Sequence, residues 1–265
     1  MTTEGGLLQT QSWNEQVANL RWYNLFMGCI HAGQAALVLA LSTGFRLSLT
    51  SSFLSYNPLR EEASPLLSEL VSVPLGPLVA AFFLLSAVAH LVVTVPGVFA
   101  WYARNLRRHI NYLRWFEYAL SSSLMLVIIA MLSSMFDLPS LVLLFALNAC
   151  MNLFGLMMEL HNQATGRTNW TAFYCGIFAG VVPWLIIAWY FFAALSSFSG
   201  SIPTFVWFIL PTVFLLFNAF AVNMVLQYKK VGPWRDYLYG EKMYILLSLV
   251  AKSALAWQVF SGTLR

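Results

Sequence analysis

Residues 243–264 read MYILLSLVAKSALAWQVFSGTL, an apolar run long enough to cross a bilayer as a helix, broken near its middle by Lys252. A free ammonium at that depth costs about 2.5 to 3.5 kcal/mol on insertion scales. With roughly ten residues to either end of the run, the side chain cannot easily snorkel to a surface. A buried lysine has two uses: it pairs with a buried carboxylate, or its amine is taken into a covalent Schiff base.

The rest of the chain repeats the apolar pattern. Of 265 residues, 60% are hydrophobic and 9% charged, with a mean hydropathy of +0.72, and these values exclude a soluble domain. Seven segments are long enough to span as helices: 22–43, 75–101, 110–134, 138–161, 171–195, 203–227 and 243–264. They form one membrane domain over residues 1–265, an all-α bundle without internal repeats. Pro77, Pro96, Pro183 and Pro211 fall inside spans and are expected to kink them, since neighbouring helices can satisfy the freed backbone groups. The opening MTTEGGLLQTQSWNEQ lacks the basic start of a signal peptide and is expected to be a retained amphipathic lead-in.

Basic residues orient the bundle. Ten fall on one side (Arg21, Arg104, Arg107, Arg108, Arg114, Arg167, Lys229, Lys230, Arg235 and Lys242), against Arg46, Arg60 and Arg265 on the other. The expectation is a multi-pass cell-membrane protein with a cytoplasmic N-terminus and an external C-terminus. The net charge of +4 needs no nucleic acid, because the positive side would meet anionic lipid. Cys29, Cys150 and Cys175 have no motif spacing and are expected to be small packing residues; Asn169-Trp170-Thr171 is expected to be a chance sequon, on a cytoplasmic loop. The external stretch 44–74 is longer than the other connections. Its FRLSLTSSFLSY alternates as two short strands would, followed by Glu61, Glu62 and Glu69, so a short β-hairpin in the first external loop is expected, against the alternative of a solvated loop.

Glu117 is read as the one acid well inside the hydrocarbon. It lies nine residues past Arg108, while Lys252 lies ten past Lys242, which puts them at about 14 and 15 Å of helical rise. A structural ion pair between the two remains an alternative. Ser248 is one turn before Lys252, and Ser121 and Ser122 are one turn beyond Glu117. His31 and His90 fall at similar depth and suggest a shared hydrated cavity, although a lone membrane histidine is more often a packing residue. No spacing supports a metal site. Trp184 and Phe217 belong to aromatic stripes on the fifth and sixth spans; such stripes are usually core, but a slot for a rigid polyene would look the same. Asn148, Asn152 and Gly155 are open to the same two readings.

Seven spans with a central lysine in the last and a carboxylate in the third resemble a microbial retinal protein, and the strings FEYALSSSLM (116–125) and SLVAKSALAW (248–257) resemble heliorhodopsin over the whole chain. The resemblance implies a rhodopsin-like seven-helix fold and all-trans retinal held as a protonated Schiff base at Lys252, with Glu117 as counterion. It implies a polar network of Ser248, Ser122, Asn148, His31 and His90, and pocket positions at Met151, Gly155, Trp184 and Phe217. It also implies a homodimer to which the first external loop contributes, and a photoreceptor that is not an enzyme and signals by conformational change to an unidentified partner. Pumping relatives hold carboxylates where this chain has Ser248 and Ile128, so net pumping is not expected; a light-gated channel is the alternative, and a retinal-free transporter a more distant one.

Overall fold

The computed structural model describes residues 3–59, 61–197 and 204–263. Arg60 and Arg265, two of the basic residues counted on the sparser side, lie outside them. Among these residues there are eight α-helices: α1 (Thr3–Leu41), α2 (Leu75–Thr94), α3 (Pro96–Arg107), α4 (Tyr112–Leu132), α5 (Leu138–His161), α6 (Thr171–Ser197), α7 (Thr204–Tyr228) and α8 (Tyr237–Thr263), with a short 3-10 turn at Gly232–Arg235 before the last. All but α3 are long and apolar enough to span, so among the described residues the count of seven spans stands. Around the bundle, α8 packs on α1, α1 on α2, α2 on α4, α4 on α5 and α5 on α6, while α7 returns to α8.

Three boundaries differ from the sequence expectation. The lead-in is continuous with the first span in a single helix of 39 residues. Pro96 ends a helix instead of kinking it: Val95 sits at φ −66°, ψ 130°, the extended backbone that a following proline favours, and α3 restarts with Pro96 in its first turn. The break leaves carbonyls at the end of α2 without helical donors. Arg21 supplies them, donating to the Thr94 carbonyl from Nε (3.0 Å) and Nη2 (2.6 Å). Pro77 lies in the first turn of α2, so only Pro183 and Pro211 are interior. Finally, α8 begins at Tyr237, which draws Glu241 and Lys242 into the span.

The first long loop is an antiparallel hairpin of β1 (Arg46–Asn57) and β2 (Glu62–Pro74). The alternating stretch expected to hold two short strands is almost entirely one strand of 12 residues, because it contains no turn residue; reversal waits for Asn57-Pro58, where the Asn57 Oδ1 accepts from the Leu59 N–H at 3.0 Å. The second strand is the acidic segment. Leu49 pairs with Val71 and Thr50 with Glu69, so Leu70 bulges, and at that point Thr50 donates its N–H to the Phe136 carbonyl at 2.9 Å. The hairpin is thereby fastened to the α4–α5 connection.

The core beneath the hairpin is apolar, with Phe82, Phe83, Leu126, Ile128, Ile129 and Leu255 all fully buried. Outward faces carry Phe178, Leu185, Trp189 and Leu215, as lipid-facing surfaces do. Cys29, Cys150 and Cys175 are free and exposed on this surface instead of packed inside, since lipid supplies the apolar surroundings a small thiol needs.

Candidate functional site

Lys252 is buried at 2% exposure, and its Nζ lies 3.3 Å from Glu117 Oε1 on α4. The ammonium also donates to Ser248 Oγ at 2.7 Å, one turn back on its own helix, and stands 5.5 Å above the Tyr118 ring. Glu117 accepts from Ser86 Oγ at 2.6 Å, so α2, α4 and α8 meet at one carboxylate. Such a charge-assisted bond is short and strong, and it fixes which oxygen faces the amine.

The histidines line the same level. His31, fully buried on α1, stacks on His90 of α2 with ring centroids 5.5 Å apart and planes 8° from parallel. The His90 Nδ1 lies 2.8 Å from Asn24 Oδ1, whereas neither ring nitrogen of His31 has a hydrogen-bond partner among the described residues. Buried imidazole nitrogens without protein partners mark space for ordered water.

Ser122 and Asn148 stand apart from the carboxylate. Ser122 donates to the Tyr118 carbonyl at 2.7 Å and accepts from Asn148 Nδ2 (2.9 Å) and Asn152 Nδ2 (3.0 Å), which joins α4 to α5. Next to this joint lies a cavity of about 570 Å³ between α4, α5, α6, α7 and α8. Met151, Gly155, Trp184 and Phe217 all line it, together with Trp115, Tyr118, Phe214 and Tyr244. The Trp184 ring meets Phe214 and Phe217 edge-on at 5.2 and 5.4 Å, closing the wall between α6 and α7. Gly180 keeps room open, because a Cβ there would press on Met151 Sδ.

Sequence reasoning missed Ser86 and Asn24, although Ser86 and His90 are one helical turn apart in α2. It also missed a second charged centre. Arg114, counted above among the basic residues on one side of the bundle, is buried in α4 and ion-paired to Glu159 of α5 and Glu241 of α8. Among the described residues, Glu117 is therefore one of three carboxylates ion-paired inside the bundle. Asn111 completes the centre: its side chain caps α4 by accepting from the Arg114 N–H, while its own N–H reaches Glu159 Oε2 at 2.9 Å and its Nδ2 reaches Glu241 Oε2 at 2.6 Å. No group of three His, Cys, Asp or Glu residues suited to a metal occurs among the described residues.

No curated protein matches this chain. The heliorhodopsin family model matches residues 20–264, nearly the whole chain, and the protein accordingly belongs to the heliorhodopsin family of retinal-binding, light-sensing membrane proteins.

Proposed function

We propose that the protein is a photoreceptor in which Lys252 carries all-trans retinal as a protonated Schiff base, Glu117 is its counterion, and the output is a conformational change without net ion transport. The observation that carries this reading is the Lys252–Glu117 pair, 3.3 Å apart and buried, beside a large aromatic cavity that shares Tyr118 with it. A purely structural ion pair would need no such cavity. The cavity's volume lies within the range of small-ligand sites, about 300–1,000 Å³, and its apolar lining suits a polyene.

When bound, retinal supplies visible absorption and a light-driven change of shape. The chain's residues would do the rest. Glu117 would balance the buried cation, Ser86 would hold that carboxylate in place, Ser248 would orient the nitrogen, and the His31–His90 pair would take a proton during the cycle and return it. Ser248 and Ile128 stand where pumping relatives place carboxylates, which supports reversible over vectorial movement. A cytoplasmic N-terminus and a homodimer through the hairpin belong to the same reading; Leu54, Tyr56 and Leu67 on the hairpin are exposed apolar side chains of the kind a second copy would cover.

The test is reconstitution with all-trans retinal. The wild-type protein should become coloured, Lys252→Ala should assemble without a visible band, and illuminated cells should show neither a sustained pH change nor a photocurrent. A band retained in Lys252→Ala refutes the attachment site, a pH change abolished by protonophore revives a pump, and a current that reverses with voltage makes this a channel.

A further inference from the structure

A second cavity, about 40 Å³, runs between the two charged centres. His90 and Glu117 line one end; Asn111, Arg114 and Glu241 line the other. One water needs about 10–15 Å³, so the space holds a short file of them. The Arg114 Nε, buried in a residue that lines the cavity, has no hydrogen-bond partner among the described residues, and a water there would satisfy it.

The cluster at the far end has an unusual charge balance. One guanidinium serves two carboxylates whose residues are 2% and 1% exposed, and each carboxylate receives one donor from Arg114 and one from Asn111. With both ionised, the cluster would carry an uncompensated negative charge in a buried site, a state proteins avoid by binding a proton. Other titratable groups facing it are phenols and one imidazole: Tyr102 of α3, Tyr118 of α4, Tyr228 of α7, Tyr237 and Tyr244 of α8, and His109. None supplies a second fixed positive charge at the carboxylates. Partial burial, and after it Lys230 at the rim, hold the His109 imidazole below its ordinary range, against the opposing pull of Glu241. His109 is exposed, with its ring stacked 4.4 Å from Tyr237, one turn before Glu241.

We propose that the Arg114–Glu159–Glu241 cluster is a proton-exchange site, joined to Glu117 by the small cavity and to solvent, past His109, only at the arginine-rich end of the bundle. Toward the hairpin the packing beyond Lys252 is mainly the apolar cluster of Phe82, Met125, Ile128 and Leu255, and the polar side chains of Ser253 and Trp257 there are both taken up by Gln34. In one excursion the Lys252 nitrogen loses a proton and becomes neutral, while Glu117 or His90 gains it. That acceptor then passes an equivalent proton through cavity water to a cluster carboxylate, and the cluster releases one past His109 to solvent. Return reverses each step, so nothing is carried across the membrane. The light-driven half of this rests on the retinal reading above; the dark proton does not.

Two measurements on the full chain test it. Infrared titration in the dark, without illumination or added retinal, should show the carbonyl stretch of a protonated carboxylic acid that fades as pH rises and is lost in Glu159→Gln or Glu241→Gln; a chain with no such titrating band, or one unchanged in both variants, overturns the proposal. Retinal-loaded wild-type protein in sealed vesicles, with a pH dye confined to one side at a time, should give a flash-induced transient only at the face bearing Arg104, Arg107 and Arg108. A transient at the hairpin face, or at neither, overturns the exchange route even if the substituted proteins fail to fold. Where folding permits, Glu241→Gln should shrink the transient's rate by about a hundredfold or more, the scale of a lost proton relay; an unchanged rate counts against the cluster. A protein that never takes up colour fails the retinal reading and leaves the dark titration to decide the cluster.

Discussion

At the scale of single residues, the two ends of the 3.3 Å pair should be separable by spectroscopy. Glu117→Gln removes the negative charge beside the nitrogen and should move the visible band to longer wavelength while the cation persists; an unchanged spectrum at low chloride would mean that another group balances the charge. Ser86→Ala keeps the charge but frees the oxygen that Ser86 holds at 2.6 Å, so its shift should be smaller and opposite in sign. This pair was legible in the sequence because a charge in the middle of an apolar run has no bland explanation. Arg114, Glu159 and Glu241 were not, for each lies within a few residues of a span end, where linear reading assumes water. Only the packing of α4, α5 and α8 shows that they face one another.

At the scale of elements, most of the architecture follows from hydropathy, and the failures share a cause. Proline and turn chemistry decide where an apolar segment stops, and run length does not register them. Pro96 divides one expected span in two, and the α2 end it creates becomes the docking point of Arg21; Asn57-Pro58 moves the hairpin turn by many residues from where alternation alone would put it. Asn111 shows how much one cap can carry, because the residue that starts α4 also holds both carboxylates of the buried cluster. Asn111→Ala should cost about 1 kcal/mol for the lost cap and about 1–3 kcal/mol more for the Glu241 oxygen left without its donor. Thermal denaturation of the detergent-solubilised protein measures this; a midpoint within error of wild type would show that water replaces the asparagine fully.

At the scale of the whole molecule, orientation is the prediction most exposed to failure, since one of the ten cations behind it, Arg114, proves to be buried and ion-paired. The remaining nine still outnumber the three opposite them. A tag at the N-terminus should be protected in intact cells and one at the C-terminus should be accessible to antibody; the reverse pattern would invert the molecule and place the proposed proton exchange outside. The hairpin adds a mechanical consequence. Its foot, the Thr50 N–H, rests on the Phe136 carbonyl just past the end of α4, and α4 is the rod on which both Glu117 and Arg114 are mounted. A change of charge at either residue that slides or tilts this rod therefore works the hairpin as a lever, turning a displacement deep in the bilayer into a sweep of the Asn57–Leu59 tip outside it. Thr50→Pro, which deletes the donating N–H, should disconnect the lever: light-induced distance changes between spin labels on Ser64 and on the arginine-rich face would vanish while the colour stays, and an undiminished sweep would show that the hairpin is driven from elsewhere.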